Sequence, residues 1–101
     1  MKINYEKGKY TYYDMNGVEL HEDDIVFVNG KNMRVFLTDQ DRLGTDATNP
    51  AWLRSGRAVE GENGIYPFQW HDEPVLVAPA GTYHSWDCIA GTFVKKEVIE
   101  Q

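Results

Sequence analysis

At 101 residues the chain has room for one domain with one core, and 42% hydrophobic with 26% charged residues is ordinary globular usage, which excludes wholesale disorder. Sixteen acidic residues against ten basic ones leave a net charge of −6. That balance opposes non-specific binding to nucleic-acid phosphates and to anionic membranes, both of which draw on Lys and Arg.

In chain order, residues 1–8 are expected to form a flexible N-terminal segment. The first β-type run is Lys9-Tyr10-Thr11-Tyr12-Tyr13, ended by Asp14-Met15-Asn16-Gly17, where Asn-Gly is a strong turn signal. Val18-Glu19-Leu20 alternates. Glu22-Asp23-Asp24, the densest acidic group, reads as a solvated turn. Ile25-Val26-Phe27-Val28 is apolar on both faces and belongs in the middle of a sheet. Asn29-Gly30-Lys31-Asn32 turns it into Met33–Thr38 as a hairpin. Asp39–Arg42 is a second tight turn, leading to a short strand at Leu43-Gly44-Thr45. Ile65-Tyr66-Pro67-Phe68 reads as an edge strand because proline donates no ladder hydrogen bond. Val75–Ala78 follows, and Tyr83–Ala90 and Thr92–Val94 supply the last strands. Short β-branched and aromatic runs between frequent turn residues point to a mainly β domain over 1–101. The expected architecture is a small SH3-like barrel or curled antiparallel sheet of five to seven strands. At most one short helical turn is expected, at Pro50–Arg54.

The stretch Asn16–Val28 resembles the opening of small SH3-like barrels, in which a phrase x-G-x-x-[IL]-x-x-G-D-x-V leads into the first core strand. YopX-type prophage proteins carry a similar phrase, with Asp24-Ile25-Val26 matching its D-x-V core. Asp23 stands where glycine is usual, so a different backbone is expected at that corner. The later phrases Leu43–Trp52 and Gly64–Pro67 resemble uncharacterised small proteins of prophages in gut Firmicutes. The resemblance implies phage provenance and a protein that acts by binding.

The chemistry-bearing residues assemble into no catalytic motif. Cys88 and His84 lie four apart in a segment that alternates as a strand, which separates them by about 13 Å, too far for a nucleophile and its base. His21, His71 and His84 each have acidic neighbours but lack the paired His or Cys spacing of a zinc site. Asp39–Pro50 begins like a calcium loop and fails at its fifth and twelfth positions. Phosphate-loop and dinucleotide fingerprints are absent. No cofactor and no metal are therefore expected, and no enzyme. No run approaches the roughly 18 apolar residues of a membrane helix, and the first residues hold no apolar signal core. Cys88 is the sole cysteine, so no disulfide forms within the chain. A cytoplasmic protein is expected.

The segment Asp46–Gly64 is long and irregular, and such segments are often functional. It supplies the candidate binding residues Asp46, Asn49, Trp52, Arg54 and Arg57, with Trp and Arg the types enriched at binding hot spots. A purely structural role, Trp52 capping an open barrel end, competes with that reading. Trp70 and Trp86 are expected in the core. The function expected is a binding module that docks a protein partner through the 46–64 loop, with self-association as a further option. The alternative is a small-ligand protein that sequesters a nucleotide-type molecule against host defence.

Overall fold

The computed structural model describes residues 1–46, 57–62, 64–82, 84–87, 89 and 92–95, with the backbone alone at 46, 84–87 and 92–95. Ten strands follow one another: β1 (Lys2–Glu6), β2 (Lys9–Tyr13), β3 (Ile25–Val28), β4 (Lys31–Arg34), β5 (Phe36–Leu37), β6 (Leu43–Asp46), β7 (Ile65–Pro67), β8 (Val75–Ala78), β9 (His84–Asp87) and β10 (Thr92–Lys95). They form two-stranded sheets β1-β2 and β10-β9 and three-stranded sheets β4-β3-β8 and β5-β6-β7, with every ladder antiparallel. The protein is a small mainly β domain. Among the described residues the ladders close no barrel, and there is no helix, least of all one long and apolar enough to cross a membrane. The helical turn expected at Pro50–Arg54 lies outside the described residues.

β3 is central, as its two apolar faces require. Val26 and Val28 are buried on the core side, while Phe27 on the other is about half exposed. The turn into β4 uses Asn29 and Gly30 alone, both at positive φ (52° and 78°), which is the twist a two-residue hairpin needs. The expected run Met33–Thr38 is interrupted at Val35. This fully buried residue accepts from the Asp23 amide (2.9 Å) and donates to the Asp24 carbonyl (2.8 Å), so the chain leaves one sheet there and enters the next. That break, and β1, account for much of the excess over the five to seven strands expected. Residues 2–6, expected to be irregular, pair along their whole length with β2 through a two-residue turn, Lys7 (φ 51°) and Gly8 (φ 79°).

One core cluster gathers Tyr12, Leu20, Val26, Val28, Met33, Val35 and Phe68; a smaller one holds Phe36, Ala58 and Ile65. Gly44 is required by close approach, since a Cβ there would lie 2.2 Å from the Tyr66 carbonyl oxygen across the β6–β7 ladder. Pro67 sits on an edge strand as expected.

Two carboxylates are buried with the core. Asp14 accepts from the amides of Asn16 (2.8 Å), Val18 (2.8 Å) and, across the fold, Leu76 (3.0 Å). Asp24 accepts from the amides of His21 (2.8 Å) and Ala80. Together they fasten β8 near both its ends. The acidic group Glu22-Asp23-Asp24 is thus a solvated turn only for its first two members. Asp24 points inward because backbone N–H groups there need an acceptor. Asp23 adopts φ 71°, the left-handed conformation that glycine favours, so its side chain does not move this corner out of that region.

Candidate functional site

The β1–β2 hairpin divides its residues by strand alternation. Ile3, Tyr5, Tyr10 and Tyr12 share one face, and Lys2, Asn4, Glu6, Lys9, Thr11 and Tyr13 share the other. Along the first face burial fades toward the tip: Tyr12 is 2% exposed, Tyr10 38% and Tyr5 63%. The rings form a continuous row, with centroids 4.6 Å apart for Tyr5–Tyr10, 6.2 Å for Tyr10–Tyr12 and 6.2 Å for Tyr12–Phe68.

Opposite this row runs the segment Pro67–His71. Its turn is closed twice, by the Asp72 amide donating to the Gln69 carbonyl (3.0 Å) and by the Gln69 amide donating to Asp72 Oδ2 (2.6 Å). The closure holds Trp70 at the turn's crest, where 67% of the residue is exposed. This overturns the expectation of a core Trp70; Phe68, two residues earlier, takes the core place. Between hairpin and turn lies an open groove of about 520 Å³, lined by Ile3, Tyr5, Tyr10, Tyr12, Arg42, Pro67, Phe68, Gln69, Trp70 and His71.

The one arginine lining this groove is already engaged. Arg42 Nε donates to Glu60 Oε1 at 2.9 Å and its Nη2 contacts Oε2, a two-point pair, while the Thr38 hydroxyl donates to Oε1 at 2.8 Å. Thr38 Oγ1 in turn accepts from the amides of Arg42 (3.2 Å) and Gln40 (3.3 Å). The Arg42 hydrogen bond holds the Glu60 carboxyl below its ordinary value, helped by Thr38, and the same bond raises Arg42. Burial pushes the Tyr12 phenol upward, an effect tempered by nearby Arg42 and by a hydrogen bond with the Leu43 backbone.

Of the candidate residues read from the sequence, Asn49, Trp52 and Arg54 lie outside the described residues, as do Cys88 and the side chain of Trp86. Asp46 is the last residue of β6, opposite Ile65. Arg57 is exposed and pairs at 2.8 Å with Asp41, away from the groove lining. Ala58 and Glu60, late in the 46–64 segment, are nonetheless held by residues next to the groove. The Asp39 amide donates to the Ala58 carbonyl (2.9 Å), the Glu60 amide donates to Asp39 Oδ1 (3.1 Å), and Glu60 reaches Arg42. Of the residues that build the groove, Tyr5, Tyr10 and Arg42 are not among the candidates that the sequence supplies, and Trp70 is expected from it only in the core. A usable signal was present in Ile3-x-Tyr5 and Tyr10-x-Tyr12, which alternate symmetrically about Lys7-Gly8.

No family model, curated protein or solved structure matches the chain.

Proposed function

We propose that the chain is a non-enzymatic, cytoplasmic binding module of prophage type that docks a protein partner on the aromatic groove, with the 46–64 loop at its margin. The observation that carries this reading is the exposure of Tyr5 and Trp70 on either side of the groove, 63% and 67%. Large rings held at low entropic cost are efficient anchors for a partner's apolar side chains, and Tyr hydroxyls with the indole N–H add hydrogen bonds at the rim. Glu60, near the end of that segment, reaches the same surface through its pair with Arg42. The nucleotide reading has less behind it, because phosphates call for a cation and both oxygens of Glu60 already occupy Arg42.

Affinity capture from a bacterial lysate, comparing the native chain with a Tyr5→Ala/Trp70→Ala double variant, tests the proposal. A protein retained by the native chain and by a Phe27→Ala control, and lost by the folded double variant, is the expected result. Equal retention by all three would sink the groove as the docking surface. A rise in melting temperature with nucleotides, abolished by the double variant, would put the small-ligand alternative ahead.

A further inference from the structure

The outer edge of β1 carries a pattern that the groove does not explain. Among the described residues, no ladder covers that edge. Several other sheet edges among the described residues are blunted. β7 carries Pro67, β5 is two residues long, and β8 has its Leu76 amide taken by Asp14. β1 has five residues in unbroken register with β2, no proline and no bulge.

A two-residue hairpin fixes which backbone groups face out. The residues flanking the turn, Glu6 and Lys9, exchange their N–H and C=O groups, so Glu6, Asn4 and Lys2 bond inward to β2. Ile3 and Tyr5 then present N–H and C=O outward. Laid antiparallel against a second copy about a twofold axis at Asn4, those outward groups meet their own kind. Ile3 faces the second copy's Tyr5 and Tyr5 faces its Ile3, giving four backbone hydrogen bonds with correct parity. On the polar face the same register sets Lys2 against the second copy's Glu6, twice, with the two Asn4 side chains between them. On the aromatic face it sets Ile3 against Tyr5, twice. The strand Lys-Ile-Asn-Tyr-Glu is complementary to itself in charge, in apolar character and in hydrogen-bond parity at once.

We infer that β1 is a homodimerisation strand, pairing with β1 of a second copy to form a continuous β2-β1-β1-β2 sheet. The arrangement is isologous and closes on itself, so it yields a dimer and not a filament. It is argued from the backbone edge and the charged face of β1 and does not rest on the proposed function, although Tyr5 borders both surfaces: a monomer that still binds a partner defeats this inference alone.

The test is sedimentation equilibrium of the full chain with two single charge reversals, Lys2→Glu and Glu6→Lys, each checked for the native circular dichroism spectrum. The native chain is expected to dimerise. Each reversal sets like charges opposite at both polar pairs and is expected to weaken the dimer about tenfold or more. Mixed one to one, the two variants face each other with opposite charges and are expected to recover native-like association as a heterodimer. That recovery also separates a lost interface from a damaged hairpin. A native chain monomeric at millimolar concentration, or a dimer that neither reversal weakens, or weakened variants that fail to rescue each other, overturns the inference.

Discussion

Two regions of this domain invert the usual rule of polar outside and apolar inside. Around β8 two carboxylates, Asp14 and Asp24, are almost wholly buried, and backbone amides from distant segments satisfy them. On the hairpin and the Gln69–Asp72 turn, aromatic rings stand in solvent with no core to fill. The first inversion is costly unless every hydrogen bond is made, so it specifies one arrangement of the chain. The second costs little in stability and leaves surface for a partner. The tyrosine row contains both cases on one face: Tyr12 serves the core and Tyr5 does not.

If that contrast is right, the largest losses come from the buried members. Asp14→Ala leaves three backbone amides without their acceptor and is expected to cost about 3 kcal/mol in urea unfolding at neutral pH. A loss under about 1 kcal/mol would mean that solvent reaches those amides and that the clamp on β8 is nominal. Tyr12→Ala is expected to fall in the same range, about 3 kcal/mol, by emptying the core.

The Arg42–Glu60 pair borders the groove and sharpens the comparison through pH. Glu60→Gln is expected to cost about 1 kcal/mol near pH 7. Because the carboxyl sits below its ordinary value when folded, its contribution is complete above the unfolded value and is lost as pH falls through the folded one. Denaturation midpoints of native chain and variant are therefore expected to converge as the pH falls below the ordinary carboxyl range; a constant gap would assign the effect to packing.

Asp23→Gly is expected to stabilise by about 0.5 kcal/mol, because glycine relieves the left-handed backbone at some cost in chain entropy and the loss of a 3.5 Å contact to Arg34. At the exposed end, Trp70→Ala and Tyr5→Ala are expected to shift stability by no more than about 0.5 kcal/mol each. A melting curve displaced as far as that of Tyr12→Ala would show that these rings belong to the core after all.

The sequence was most readable where a local rule acts alone. Asn29-Gly30 predicts its hairpin because both residues accept the positive φ they adopt. Val75–Ala78 and the proline-bearing edge strand read equally well. Lys7-Gly8 makes the same turn, but lysine carries no turn signal, and β1 went unread with it. The chain's departure at Val35 depends on hydrogen bonds to the Asp23–Asp24 corner that no periodicity encodes. Asp14 was partly legible, since an aspartate two residues before Asn16 can bond that amide; its reach to Leu76 was not. Counting hydrophobicity alone put Trp70 inside, whereas the turn that Asp72 closes carries it out.

The two aspartate clamps also set an order of events in time. Asp14 and Asp24 meet their β8-side donors 62 and 56 residues further along the chain. During synthesis both carboxylates are made early, with local amides at hand, and lack their distant donors until Leu76 and Ala80 arrive. The sheet around β3 is thus completed by its most distant partner. Closures of this span place the domain among the slower folders, where topology and not stability governs the rate.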